Sequence, residues 1–117
     1  MPTEVYNSVT TIFEILADPG RRRVLDLLRD DDHTVTELVD ALGVSQPTVS
    51  KQLRVLREAG LVEARVDAQR RVYRLRPEPL ADVDAWLEPY RKFWRGKLAS
   101  LQQHLAGEAD PSPESAP

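Results

Sequence analysis

The stretch TVTELVDALGVSQPTVSKQLRVLREAGLV, residues 34–62, carries the local signals that decide the fold. Thr34 and Glu37 have the spacing of a capping box, in which side chains bond two of the free N–H groups at a helix start. Gly43 follows the last apolar residue of this short helix, where a left-handed residue is expected. A longer helix follows after a tight turn, and this order is typical of a helix-turn-helix.

The longer helix is predicted to span about residues 46–59 and to end at Gly60. Pro47 lies near its start, and because a proline inside a helix costs about 3 kcal/mol, the helix must begin here. Ser45 is the predicted N-cap, with Gln46 as the alternative. The two faces of this helix differ in character: one is apolar and docks on the core, and the other has no acidic residue over positions 46–54. The core-facing residues are Val49, Leu53 and Leu56.

The charge of the chain is unevenly distributed. The net charge is −3, which argues mildly against a nucleic-acid partner. Residues 45–76, however, carry eight basic against three acidic side chains, whereas residues 1–44 carry four basic against nine acidic. Local potential steers a polyanion, so the basic segment is a candidate DNA surface. The alternative is an ordinary solvated charged face.

Two β-prone segments, LVEARV and RRVYRL, follow the longer helix, with DAQ (67–69) between them. A hairpin directly after the second helix of a helix-turn-helix makes a winged helix. Polar and basic side chains near the tip of this wing suit phosphates or a narrow minor groove. They are Arg65, Gln69, Arg70 and Arg71. The alternative is that these arginines protect a strand edge from pairing.

Two further helices are predicted before the helix-turn-helix. The first spans about residues 4–17, since Val9, Ile12, Phe13 and Leu16 follow the spacing of one helix face. Asp18 is the predicted N-cap of the second, with a proline in its first turn. Arginines 21–23 at this helix start oppose the helix dipole, which hints at an anionic partner.

The final helix is predicted over about residues 78–105 and has a continuous apolar stripe. Pro89 should kink or split it. So much aromatic and leucine surface predicts a dimer interface shared with the first helix, the alternative being a stripe folded back on its own core. The predicted interface residues are Tyr6, Val9, Phe13, Leu87, Tyr90, Phe93, Trp94, Leu98 and Leu101. The domain is expected to cover residues 1–106, with a disordered acidic tail at 107–117.

Composition disfavours several classes of function. With no cysteine and two histidines, thiol chemistry is excluded and a metal site is hard to build. There is no Gly-rich phosphate loop and no carboxylate–histidine constellation, so an enzyme is not expected. No secretory signal and no apolar run of roughly 18 residues are present. We expect a soluble cytoplasmic protein without a cofactor, a metal or a membrane partner.

The segments LADPGRRRVLDLL (16–28) and residues 34–75 resemble the ArsR/SmtB family of small bacterial winged-helix repressors, over roughly residues 9–76. The resemblance implies a mainly α fold with a small β-hairpin: four helices, two strands and a final helix. It also implies a homodimer that binds an imperfect palindromic operator and is released by a signal. The cysteine motif of the family's metal sensors is absent from TELVDAL, and Asp82 and Asp84 have no histidine at a useful spacing. The chain therefore resembles the metal-independent branch.

On double-stranded DNA, two copies of the longer helix should enter successive major grooves about 34 Å apart. The candidates for base contact are Gln46, Thr48, Ser50 and Gln52. The candidates for phosphate or minor-groove contact are Ser45, Lys51, Arg54, Arg70 and Arg71. The rival hypothesis is a winged-helix adaptor that binds protein and not DNA, and an RNA-binding winged helix is a weaker option.

Overall fold

Four helices, a small sheet and a long last helix follow one another along residues 3–109, which the computed structural model describes. The elements are α1 (Thr3–Leu16), α2 (Pro19–Asp30), β1 (His33–Thr34), α3 (Val35–Leu42), α4 (Gln46–Glu58), β2 (Val62–Asp67), β3 (Arg70–Leu75) and α5 (Leu80–Ala109). The predicted mainly α winged helix-turn-helix is confirmed. Of the predicted tail, residues 107–109 belong to α5, and the remainder lies outside the described residues.

The helix starts follow the predicted capping chemistry. Asp18 caps α2, and one of its carboxylate oxygens accepts from the Gly20 N–H at 3.0 Å. Thr34 and Glu37 form the capping box of α3, with N–O distances of 2.8 Å and 3.2 Å for the two reciprocal bonds. Gly43 ends α3 with a φ of 68°. These caps bond backbone groups that a helix cannot bond internally, so they fix where each helix begins and ends.

The ends of α4 are defined by its own residues. Ser45 is the N-cap and accepts from the Thr48 N–H at 3.3 Å, which settles the alternative with Gln46. At the other end Gly60 has a φ of 78° and donates to the Arg57 carbonyl. The Leu61 N–H donates to the Leu56 carbonyl at 3.0 Å, which completes a Schellman motif and turns the chain toward the sheet.

The sheet has three strands and not the two that were predicted. β1, only two residues long, pairs antiparallel with β3, and β3 pairs with β2, so the strand order is β1-β3-β2. The sequence predicts only a helix cap at Thr34, because the two residues of β1 are too few to show a strand pattern. The wing loop is also one residue shorter than predicted, since Asp67 pairs with Arg70.

The core of the winged helix lies where α2, α3, α4 and the sheet meet. Its leucines have relative exposures of 0–3%, and helix α4 contributes three buried residues to it. Burying a leucine side chain stabilises a fold by about 1.5–3 kcal/mol, so α4 is held mainly by its apolar face. The central residues are Val24, Leu28, Leu38, Val49, Leu53, Leu56, Leu61 and Tyr73.

Helix α1 requires a correction to the predicted dimer residues. Val9 is only 4% exposed and Ile12 only 2%, so both are buried by the chain itself. The spacing of apolar residues identifies the buried face of a helix. It does not tell whether that face packs against the same chain or against a second molecule. Val9 therefore has almost no surface to offer a second molecule. Tyr6 and Phe13 remain exposed on α1.

The chain divides into two compact units between Val83 and Asp84. In the second unit α5 continues to Ala109 as a single helix, so Pro89 does not split it. Arg91 lies beside the proline and donates to the Asp84 carbonyl at 3.1 Å and to the Asp84 carboxylate at 2.8 Å. It also bonds the Glu88 carboxylate. These bonds cross the turn that lacks the proline N–H and support it.

Candidate nucleic-acid interface

The outer face of α4 is open to solvent along the positions predicted to meet DNA. Ser45, Gln46, Thr48, Ser50, Lys51 and Arg54 are all exposed, while Val49, Leu53 and Leu56 are buried. The Ser45 and Thr48 hydroxyls are 2.8 Å apart at the helix start. Because the apolar face holds the helix, the polar face is free to bind another molecule.

The two basic side chains of this face have little intramolecular engagement. Within residues 3–109, the Lys51 side chain has neither a hydrogen bond nor an ion pair, and the Arg54 Nε lies 4.0 Å from the Glu58 carboxylate. Both members of that pair are about 70% exposed, so water screens the interaction strongly. Their charges are therefore available to a phosphate.

The described arginines form fewer ion pairs at the tip of the wing than at its base. Arg70 lies 3.7 Å from Asp67, and the Arg71 guanidinium lies 5.8 Å from the centre of the Tyr73 ring. At the base, Arg74 and Arg76 both lie 3.4 Å from the Glu63 carboxylate. The tip residues Gln69, Arg70 and Arg71 are exposed. The wing can thus present positive charge at its tip.

Arg65 differs from the other wing arginines. Its guanidinium lies 3.4 Å from the Asp32 carboxylate, which precedes β1. Arg65 is on β2 opposite Val72, in the third residue pair from the tip of the hairpin. Among the described residues, it is the predicted wing contact with a direct ion pair to an acidic residue outside the hairpin.

Gln52 also departs from the predicted arrangement. Its amide is partly buried and donates to the Asp18 carboxylate at 2.9 Å, across 34 residues of sequence. A side chain bonded to the N-cap of α2 does not stand on the outer face with Gln46 and Ser50. Sequence periodicity could not reveal this contact, because its partner lies in a different helix. This contact argues against a role for Gln52 in base contact.

The arginines at the start of α2 have a structural role that the sequence did not reveal. The Arg21 Nε donates to the Ile15 carbonyl at 2.6 Å, and Arg22 donates to the Leu16 carbonyl. Both carbonyls belong to the last turn of α1, where cations are favourable. The sequence predicted an anionic partner for this cluster. In the structure, Arg21 and Arg22 instead bond carbonyl groups at the C-terminal end of α1.

Two carboxylates of this region have lowered pKa values. The Gln52 amide, followed by the Gly20 N–H and the nearby Arg21 and Arg22, lowers the pKa of Asp18 below its ordinary value. The Thr34 N–H, with further contributions from His33 and Arg70, lowers the pKa of Glu37. Both groups accept hydrogen bonds as carboxylates, which favours the charged form.

The predicted interface residues of α5 are exposed along one helix. Tyr90, Phe93, Trp94, Leu98 and Leu101 have relative exposures between 38% and 68%, and Leu87 is half-buried. Leu105, on the same stripe, is also exposed. Apolar patches of this kind are typical of interaction surfaces.

Residues 3–109 contain neither a candidate membrane span nor a candidate metal site. No described helix is both long and apolar enough to cross a membrane. No group of three or more acidic or histidine side chains in this range could hold a metal ion.

A short capped helix, a turn, an exposed polar second helix and a basic hairpin define a winged helix-turn-helix protein. More specifically, the chain belongs to the arsR family of bacterial regulatory proteins, whose family model matches residues 18–64. This confirms the resemblance inferred from the sequence.

Individual relatives support the same assignment. The chain is 37% identical over 105 residues to the HTH-type transcriptional regulator Rv2034 of Mycobacterium tuberculosis, covering 90% of this chain and 95% of the relative. An ArsR-like transcriptional regulator from Rhodococcus matches with a TM-score of 0.70 and 28% identity, over 86% of this chain and 95% of that one. The transcriptional repressor BigR of Xylella fastidiosa matches with a TM-score of 0.60 and 33% identity, over 74% and 90%.

Proposed function

We propose that this protein is a cytoplasmic, homodimeric transcriptional repressor that binds a two-fold symmetric DNA operator through α4 and the wing. The observation that carries the proposal is the exposed face of α4, which has no acidic residue from Gln46 to Arg54. Three buried apolar residues on the opposite face pack α4 against the core. Membership of a family of bacterial regulatory proteins supports it. The similar proteins described above are named as regulators and a repressor, and none is named as an enzyme.

Recognition of the operator base sequence is assigned to three exposed side chains at the start of α4. Gln46 can pair with both hydrogen-bonding groups of an adenine edge in the major groove, whereas Thr48 and Ser50 accept or donate to several bases. The Thr48 hydroxyl also lies next to Ser45. Gln46 is thus the residue expected to contribute most to the choice of operator.

Contacts to the sugar–phosphate backbone are assigned to the basic side chains and to the start of α4. Lys51 and Arg54 follow the base-contact residues along α4. At the wing tip, Gln69, Arg70 and Arg71 are exposed. The first N–H groups of α4 point out of the helix and favour an anion. Ser45, which caps the helix, is placed to touch the same phosphate. Arg65 can join them only by leaving Asp32.

A second copy of the chain is the partner proposed for the apolar surface of α5. The exposed aromatic and leucine side chains of α5, with Tyr6 and Phe13 of α1, are assigned to this interface. A closed two-fold dimer presents two α4 helices to DNA, and the operator then has matching symmetry.

The proposal is tested by a gel shift against DNA from upstream of the protein's own gene, with a non-specific competitor, at two salt concentrations. We expect a sequence-selective shift that weakens as salt rises, because phosphate contacts release counterions. The absence of a shift would contradict DNA binding and favour the adaptor hypothesis, and a shift that is neither selective nor salt-sensitive would contradict operator recognition.

Two pairs of arginines give a charge-matched comparison in the same assay. Replacing Arg70 and Arg71 together by alanine should lower affinity for all sequences and reduce the salt slope by about one unit per lost phosphate. Replacing Arg74 and Arg76 removes the same charge from the base of the wing, where Glu63 compensates it, and should change the slope less. Equal slopes for the two double variants would refute the role of the wing tip.

Gln46→Ala tests base reading separately. It should weaken operator binding by about 1–3 kcal/mol and leave binding to random DNA nearly unchanged. Equal losses on both DNAs would show that Gln46 does not read sequence.

A further inference from the structure

Resting on the proposed DNA binding, we propose that Asp18 is a positioning residue for α4, and that it acts through Gln52 to set the orientation of the DNA-reading face. Neither residue touches DNA in this proposal. Their hydrogen bond holds the side of α4 that faces α2, and so determines which way Gln46, Thr48 and Ser50 point.

The Asp18 carboxylate bonds two helices at once. One oxygen accepts from the Gly20 N–H at 3.0 Å and caps α2. The other accepts from the Gln52 amide of α4 at 2.9 Å. The same group therefore defines the start of α2 and fixes one point on α4, so it adds a polar contact between two helices that also share the apolar core.

This contact adds direction to a helix otherwise held by apolar packing. Val49, Leu53 and Leu56 bury α4, but hydrophobic burial depends on area and has little preference for direction. A hydrogen bond weakens when its distance or angle changes, so it resists rotation of the helix about its axis. Thr48 lies one turn before Gln52 on the same flank, and the bond consequently fixes the position of a base-contact residue as well.

Gly20 allows the two helices to approach closely enough for this bond. A Cβ atom at Gly20 would lie 2.9 Å from the Gln52 Nε2 atom, which is closer than side chains normally come. The contacting atom is the end of a flexible side chain, so the glutamine could move away, but only by leaving Asp18. Glycine at this position thus preserves the contact between Gln52 and Asp18.

The contact also reaches the C-terminal end of α1. The Arg21 Nη1 lies 3.5 Å from the same Asp18 oxygen that Gln52 bonds, and the Arg21 Nε donates to the Ile15 carbonyl. Ile15 lies in the last turn of α1, the helix that carries Tyr6 and Phe13 of the proposed dimer interface. Asp18 thereby connects a dimer helix to the DNA-reading helix.

The test uses variants that separate the two bonds of Asp18. Asp18→Ser keeps an N-cap for α2, since serine caps as well as aspartate, but is too short to reach Gln52. Gln52→Leu removes the donor of the hydrogen bond between Gln52 and Asp18. Gly20→Ala leaves both partners in place, favours the α2 helix and displaces the Gln52 amide. Asp26→Ser is the matched control, because Asp26 is an exposed α2 residue with a single ion pair at 4.0 Å.

Operator binding and random-DNA binding are measured for each variant below its melting temperature, with the upstream duplex that the wild-type protein shifts and a random duplex of equal length. The three variants should lose about three- to tenfold in operator affinity, the effect of one hydrogen bond, and keep their affinity for random DNA. Asp26→Ser should match the wild type on both. Gly20→Ala should show its loss of operator affinity without a lower melting temperature, a combination that a purely stabilising role of the cluster does not predict.

Rescue by a reversed pair makes the test specific to the bond. Gln52→Glu places two carboxylates against each other and should give the largest loss of operator affinity. Adding Asp18→Asn restores a donor opposite the new carboxylate and should recover most of that loss, while Asp18→Asn alone is tolerated because the Gln52 amide can rotate.

The outcomes distinguish this proposal from the function on which it rests. Wild-type protein without a selective shift would overturn the DNA-binding proposal and this one with it. A selective wild-type shift with unchanged Asp18→Ser and Gln52→Leu variants would overturn only the positioning role. Equal losses on operator and random DNA, or no recovery in the reversed pair, would overturn it too.

Discussion

Residues 3–83 and residues 84–109 differ in the solvent exposure of their large apolar side chains. In the first region Leu38, Leu53 and Leu56 are at most 1% exposed, whereas in the second Phe93 and Trp94 are more than 60% exposed. A single chain thus supplies a complete core for the winged helix and leaves the apolar stripe of α5 in contact with solvent. The stability of the first region should be a property of the monomer, and that of the second should depend on protein concentration.

The largest expected effect lies in the core of the first region. Leu53→Ala should lower the free energy of unfolding by about 2–5 kcal/mol, because it removes buried methyl groups and leaves a cavity. Leu101→Ala makes the same substitution at a residue that is 51% exposed and should have a much smaller effect in dilute monomeric protein. Urea unfolding followed by circular dichroism measures both. Similar losses would contradict the contrast between the two regions.

The next effect concerns assembly. Trp94→Asp should weaken the proposed dimer by about 2 kcal/mol or more, since central aromatic residues dominate interfaces and a buried charge is unfavourable. Gln103→Asp introduces the same charge about half a turn round the helix from Trp94 and should leave the dimer intact. Light scattering across a dilution series reports the mass. A Trp94→Asp variant that remains dimeric would refute the α5 interface.

A smaller effect is expected from the capping box of α3. Thr34→Ala should lower the free energy of unfolding by about 1 kcal/mol, because the Glu37 N–H loses its side-chain acceptor. Thr34→Ser keeps the hydroxyl and should lose much less, and Thr36→Ala in the same helix serves as the control for removing a threonine. Thermal unfolding measures the series. Equal melting temperatures for Thr34→Ala and Thr36→Ala would rule out a contribution of the cap.

The smallest effects are pH-dependent and arise in both regions. The Thr34 N–H lowers the pKa of Glu37, and a hydrogen bond from Arg91 lowers the pKa of Glu88, each below the ordinary 4.5. A carboxylate with a lowered folded-state pKa contributes stability above about pH 4.5 and loses it as pH falls through the folded value. NMR titration of the glutamate side chains should give both midpoints below 4.5. A midpoint at or above 4.5 for either residue would contradict its bonding.

Local chemistry explains which features could be predicted from the sequence. The helix caps bond backbone groups at most four residues away, so the helix ends could be predicted from the neighbouring sequence. These caps are Asp18, Thr34, Gly43 and Ser45. β1 was missed because two residues cannot show an alternating pattern.

The long-range contacts of the candidate site could not be predicted in the same way. Gln52 was predicted to contact bases because its structural partner, Asp18, lies 34 residues away and is invisible to a local pattern. Val9 was assigned to a dimer interface because apolar spacing marks a buried face without identifying what covers it. Recognition of such contacts needs the packing of the helices, which no local pattern contains.

The two-residue strand β1 joins the wing to the helix-turn-helix through one shared residue. Thr34 pairs with Val72 of the wing and also caps α3, the first helix of the helix-turn-helix. The distance between the wing base and that helix is therefore established when the chain folds. Less conformational entropy then has to be lost when the protein binds DNA, which is the advantage of a preorganised binding surface. Motion of the wing should be confined to the hairpin beyond Val72, so amide hydrogen exchange is expected to be fast at its tip and slow where it meets β1.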